Sequence, residues 1–117
     1  MSAPVKPLIT IDDLNKIDVR VGTILEANPV ARSNTLVQLI ADFGDFKRSV
    51  LCGIKQERPQ LESILGKQAL FVVNLAPKKI SGVISEGSLY DLGYPDGIVP
   101  SALAQPEYPV PNGTRAG

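Results

Sequence analysis

Apolar and polar positions change period several times along this chain of 117 residues, and each change predicts an element. Thr10 is placed to cap a short helix. Asp13 three residues on makes a weaker relative of the Ser/Thr-x-x-Glu box, and Asp12 and Asp13 both suit the positive end of the helix dipole. Ile11, Leu14 and Ile17 then share one face. From Val19 to Ala27 the period is two, Val19, Val21, Thr23 and Leu25 alternating with Arg20, Gly22, Ile24 and Glu26, which predicts a half-buried strand ended by Asn28-Pro29. Val37, Leu39, Ala41 and Phe43 form the next apolar stripe. Gly44-Asp45 suits a two-residue II′ hairpin into a strand over Lys47 to Cys52.

A second helix is predicted over Pro59 to Leu65, with Pro59 in its first turn and Gly66 just past its end. Ala69 to Val73 is a continuous apolar run, as in a central strand; Ala76-Pro77 interrupts it, and Val83 to Leu89 resumes the pattern weakly around Gly87. A short apolar run, Gly97 to Ala104, precedes a turn-rich segment with Pro106, Pro109, Pro111 and Asn112-Gly113 that is expected to wrap the domain. Residues 1–9 read as a flexible arm, and 10–117 as one domain. Three strands, a helix, then two or more strands suit an all-β fold with small helices, closed as a five-stranded Greek-key barrel of the OB type. Another small β-barrel fits the periodicity equally.

Composition narrows the chemistry. No histidine occurs, so Ser-His-Asp, Cys-His and His-ligated zinc sites are excluded. The single cysteine, Cys52, allows no intrachain disulfide, which fits a reducing compartment. No apolar run approaches the ~20 residues that span a bilayer, and the first residues lack a signal-peptide core, so a cytoplasmic location is expected. The formal net charge is zero, yet its distribution is uneven. Lys47, Arg48, Lys55, Arg58, Lys67, Lys78 and Lys79 face only Glu57 and Glu62 within residues 47–79. If the fold gathers that segment onto one surface, a neutral chain acquires a basic face able to steer a polyanion.

Several residues carry candidate chemistry beside a plainer role. Lys78-Lys79 follows a buried run and Pro77, where two compact cations can meet adjacent phosphates or simply sit in a solvated turn. Asn74 offers an amide that can read a base edge or brace the following loop. Ser85 and Glu86 bring a hydroxyl and a carboxylate near the lysines; Glu86 can accept from an exocyclic amine or act as a lysine counter-ion. Arg20 is expected on the outer surface or paired with Asp18 or Glu26, and Cys52 as a packing residue. Aromatic residues are few, and only Phe46 and Tyr90 are placed for base stacking, which disfavours a general single-strand binder. Backbone electrostatics at one loop suits a folded RNA recognised by shape. No phosphate loop or catalytic carboxylate pair is present, so no enzyme, cofactor or metal is expected.

Read together, Ile17-Asp18-Val19-Arg20-Val21-Gly22, Asp42-Phe43-Gly44, Asn74-Leu75-Ala76-Pro77-Lys78-Lys79 and Ser85-Glu86-Gly87 resemble the tRNA-binding OB-fold family. That family includes stand-alone dimeric tRNA-binding proteins, the C-terminal domain of methionyl-tRNA synthetases and the CsaA export-chaperone branch. The resemblance implies RNA contacts at Asn74, Lys78, Lys79, Ser85 and Glu86, with Arg20 in support. It also implies a homodimer that buries Ile11, Leu14 and Ile17. Ser81 stands where the family often has Arg, and Cys52 where it often has Ser, so one phosphate-seeking cation is missing. The expected function is non-catalytic binding of tRNA or other structured RNA. The alternatives are a chaperone for exported or unfolded polypeptides and a docking module for an aminoacyl-tRNA synthetase.

Overall fold

A computed structural model describes residues 3–117; Met1 and Ser2, part of the expected arm, lie outside the described residues. Residues 3–10 are exposed and form no regular element. Helix α1 (Ile11–Leu14) is one turn long, and both halves of its capping box form: Asp13 N donates to Thr10 Oγ1 at 3.1 Å and Thr10 N to Asp13 Oδ2 at 3.4 Å. Strands β1 (Val19–Pro29), β2 (Val37–Asp42), β3 (Lys47–Cys52) and β4 (Gln68–Val72) follow, then β5 (Lys78–Ile80), β6 (Val83–Ser85), β7 (Ser88–Leu89), β8 (Asp91–Leu92), β9 (Ala102–Leu103) and β10 (Arg115–Ala116). The main antiparallel sheet has the order β3-β2-β1-β4-β7, with β10 added to the start of β1.

The long strand β1 serves two neighbours. Its first half pairs with β4 from Val19↔Val72 to Thr23↔Gln68, and its second half with β2 from Thr23↔Asp42 to Pro29↔Val37. A bulge between Ile24 and Glu26 bends the strand between these partners and curls the sheet. The β2–β3 hairpin closes on two residues. Gly44 has φ +89°, as the first central position of a II′ turn requires, and Phe43 N donates to Phe46 O at 2.9 Å. The curled sheet encloses Ile24, Val37, Leu39, Phe43, Val50, Ile54, Ile64 and Phe71, each 2% exposed or less.

Three expectations change. First, β1 continues through Asn28-Pro29, because both residues still pair with β2. Second, the helix predicted over Pro59 to Leu65 is a single 3-10 turn, Leu61–Ile64. Gly66 N donates to Ile24 O at 2.8 Å and Ile24 N to Lys67 O at 2.9 Å, so the chain must extend at Leu65 to meet β1. Third, the phase of β1 is inverted. Arg20 lies opposite buried Phe71 and Gly22 opposite buried Ala69, so Arg20, Gly22 and Ile24 face inward. Val21, 5% exposed, is paired along its edge with the C-terminal segment, through Val21 N to Thr114 O at 2.9 Å and Gly113 N to Val21 O at 2.8 Å. The inner face is tight at Gly22: a Cβ there would lie 2.6 Å from Phe43 Cε1.

Candidate nucleic-acid interface

Strands β5 and β6 form a separate two-stranded ribbon with Lys78 opposite Ser85, Lys79 opposite Ile84 and Ile80 opposite Val83. Its turn is Ser81-Gly82, with φ of +51° and +81°, the double left-handed conformation that follows the strand twist in a two-residue hairpin. Lys78 and Lys79 are exposed, and among the described residues neither is in an ion pair. Their charge is presented to solvent by a paired strand instead of the turn the sequence suggested.

Side chains dock this ribbon against the edge of β3. Leu51 N donates to Ser85 Oγ at 3.1 Å, Ser49 N to Glu86 Oε1 at 3.1 Å, and Glu86 N to Ser49 O at 2.7 Å. Ser49 Oγ donates to Ile84 O at 2.7 Å and accepts from Gln38 Nε2 at 2.9 Å. Ser85 and Glu86 thus close the seam between the first and last strands of the curled sheet. The Glu86 carboxylate faces a backbone amide, and among the described residues it pairs with neither lysine. Asn74 has both ends of its amide engaged. Oδ1 accepts from Asp18 N at 2.9 Å and Nδ2 donates to Lys16 O at 2.6 Å, which ties the end of β4 to the link between α1 and β1.

Arg20 makes a two-pronged pair with Asp18, Nε to Oδ1 at 3.0 Å and Nη2 to Oδ2 at 3.1 Å, and Arg115 shares the same carboxylate at 3.1 and 3.4 Å. The register explains the clustering, since Arg20 and Arg115 are cross-strand partners. Arg20 above all, with Arg115, holds the Asp18 carboxyl below its usual range, and Asp18 in turn favours the charged Arg20. The inward Arg20 reaches the end of the barrel, 5.8 Å from the Phe46 ring centroid. Arg48 covers the same ring at 4.4 Å, a cation-π distance. Phe46 stacks on Phe43 at 5.2 Å and Phe43 meets Phe71 edge-on at 5.3 Å, so the arginines cap an aromatic column. Sequence reasoning did not single out Arg48. Its alternation with Val50 and Cys52, which marks it as inward, was the available signal.

Of the two aromatics expected to stack bases, Phe46 is half-buried under Arg48, and Tyr90, 42% exposed, lines a groove beside α1. That groove, about 570 Å³, is lined by Ile11, Leu14, Ile17, Val19, Leu70 and Tyr90. Ile11, Leu14 and Ile17 are 68%, 52% and 43% exposed, so they form an apolar surface patch on the single chain. The basic segment is only partly gathered. Lys47, Arg48, Lys78 and Lys79 occupy β3 and the ribbon docked on it, but Lys55 Nζ turns to Val30 O at 2.9 Å and Ser33 O at 2.6 Å, and Arg58 Nη2 bonds Ser101 O. Cys52 is buried, its thiol against Val37 O at 3.7 Å; burial, with the Asp91 and Glu57 charges, pushes its pKa up to about 12.

A curled antiparallel sheet of five strands, joined by a sixth, β10, at the start of β1, with a helical turn between β3 and β4 and a polar ribbon beside its seam, defines a small OB-type module. Residues 19–115 match the family described as a putative tRNA binding domain, and the chain belongs to it. It is 39% identical over 112 residues to a methionine-tRNA ligase of Parabacteroides distasonis, covering 96% of this chain and 16% of that protein. The chain spans only 12% to 16% of the length of the curated relatives it matches. Among solved structures, a "MetRS related protein" from Pyrococcus horikoshii superposes with a TM-score of 0.84 at 36% identity, covering 96% of this chain and 100% of that one. A "chaperone CsaA" of Bacillus anthracis gives 0.78 at 27% identity, covering 95% and 100%.

Proposed function

We propose that the protein is a non-catalytic, cytoplasmic tRNA-binding module that holds structured RNA mainly through phosphate contacts and shape. The observation that carries this reading is the exposed Lys78-Lys79 pair, free of ion pairs among the described residues, on a ribbon docked on β3, the strand that also carries Lys47 and Arg48. Membership of a tRNA-binding family supports RNA as the polyanion. Lys78 and Lys79 supply the primary phosphate contacts; Asn74, Ser85, Glu86 and Arg20 fix the surface around them. Among the described residues no helix is long and apolar enough to cross a membrane.

The test is tRNA affinity as a function of NaCl, by fluorescence anisotropy, for the wild type and the double variant Lys78→Ala, Lys79→Ala. Each lost phosphate contact reduces the slope of log affinity against log salt by about 0.7 to 0.9, so the double variant should be flatter by roughly 1.4 to 1.8. Unchanged affinity and slope would remove the ribbon from the interface.

The reading includes a homodimer through Ile11, Leu14 and Ile17, since an apolar patch of this kind on a small domain suits burial against a second copy. The same exposed groove favours a second reading, capture of exported or unfolded polypeptides. The two readings separate by salt: an apolar complex persists at high ionic strength, where a phosphate-driven one dissociates. A third reading, docking onto an aminoacyl-tRNA synthetase, draws on relatives that are methionine-tRNA ligases.

A further inference from the structure

A cavity of about 240 Å³ opens between the tip of the β5–β6 ribbon and the loop that follows β1. Ser81 and Val83 line it from the ribbon, Pro29 from the end of β1, Ala31 and Arg32 from the loop, and Gln38 from β2.

Both walls are held before any ligand arrives. In the loop, Lys55 Nζ donates to Val30 O and Ser33 O, Ser33 N to Val30 O at 3.1 Å, and Leu36 N to Ser33 Oγ at 3.0 Å. Lys55 therefore acts as a rivet beneath Arg32, with its ammonium turned to backbone carbonyls. In the ribbon, Ser81 has a positive φ that non-glycine residues seldom adopt, and this conformation keeps the turn tight against the cavity. Gln38 is oriented by its bond from Nε2 to Ser49 Oγ. Among the described residues its carbonyl and the Arg32 guanidinium make no hydrogen bond, and Arg32 is exposed.

The chemistry of the lining selects the occupant. Pro29, Ala31 and Val83 offer flat or branched apolar surface, Arg32 a planar cation, and Gln38 and Ser81 polar edges. Such a mixture suits a planar heterocycle with hydrogen-bonding edges. The volume lies below the roughly 300 to 1,000 Å³ of pockets for drug-sized ligands, so it fits one base and not a whole cofactor. Lys78 and Lys79 on the same ribbon are available for the phosphates on either side.

We propose that this cavity takes a single unstacked base of the bound RNA, with Arg32 as its stacking or edge contact and the Gln38 carbonyl as acceptor for an exocyclic amine. The proposal rests on the RNA-binding reading above and adds to it a preference for RNA with an extruded nucleotide.

The test uses an RNA hairpin with a one-nucleotide bulge and the same hairpin with an abasic residue at that position, which keeps the phosphate and removes the base. At low salt the wild type should bind the base-bearing bulge about tenfold more tightly, the scale of one base contact. Arg32→Ala, and separately Ala31→Phe, which fills the cavity, should bring the two affinities within about twofold while the abasic RNA is still bound. Thermal melting checks that both variants are folded. Equal wild-type affinity for the two hairpins overturns the base pocket and leaves RNA binding standing; failure to bind either RNA, or tRNA, overturns both readings.

Discussion

The inner face of β1 makes Gly22→Ala an informative perturbation. A methyl group there would stand 2.6, 2.9 and 3.0 Å from three atoms of the Phe43 ring, closer than real Cβ atoms approach a neighbour. The ring has little room to yield. It is 2% exposed, stacked on Phe46 and met edge-on by Phe71. Overpacking of this kind costs about 1 to 3 kcal/mol. Against it stands the gain of about 0.4 to 1 kcal/mol from a stiffer unfolded chain, because Gly22 does not have a positive φ and alanine fits its backbone. The net expectation is a loss of about 1 to 2 kcal/mol, near 3 to 5 °C per kcal/mol for a domain of this size. Urea denaturation should show a lower midpoint with an unchanged m-value. Phe43→Leu removes the atoms the methyl meets, so the double variant should recover about 1 kcal/mol relative to the sum of the single changes. A neutral or stabilising Gly22→Ala, or strict additivity with Phe43→Leu, would refute the packing argument.

Two further outcomes follow from the ionisable groups. With a pKa of about 12 in place of 9.0, the Cys52 thiolate at pH 8 is about a thousandfold scarcer than in a free thiol, so iodoacetamide should label native protein hardly at all and urea-unfolded protein readily. Rapid labelling of the native state would contradict its burial. Asp18 has a folded pKa below its ordinary 3.8, so its stabilisation is present above that value and is lost as the pH falls below it. Asp18→Asn should be less stable at pH 7 and show a flatter acid limb in urea midpoints measured against pH; an acid limb identical to wild type would count against the Arg20–Asp18–Arg115 cluster.

Local chemistry in the sequence was enough for the strand-rich order, the capping box at Thr10 and the hairpin at Gly44, because each depends on neighbours within a few residues. The phase of β1 was hidden. Val19 and Val21 pair along their edge with the segment around Thr114 and Arg115, nearly the whole length of the chain away, while an inward glycine and arginine mimic a solvent face. Leu61, Ile64 and Leu65 carried helical spacing, but Leu61 and Ile64, three apart, suit a 3-10 turn equally, and the demand of Ile24 for Gly66 decided it. At the candidate interface the exposure of Lys78 and Lys79 was legible from their place after Pro77, where the buried run ends. The engagement of Ser85 and Glu86 was not, since their partners Leu51 and Ser49 lie 34 and 37 positions earlier. Arg32 carried no periodic signal, and its place opposite Ser81 exists only once the barrel has curled.

The seam fastened by Ser49, Ser85 and Glu86 divides the molecule into a frame and a cassette. A continuous backbone ladder to β3 would tie each ribbon residue to one partner, and a one-residue slip would turn every ribbon side chain to the other face. Three side-chain clasps and a single backbone bond, Glu86 N to Ser49 O, hold only the base of the hairpin, so its tip can change length and charge while the framing strands stay aligned. Specificity for a ligand can then diversify at little cost to foldability.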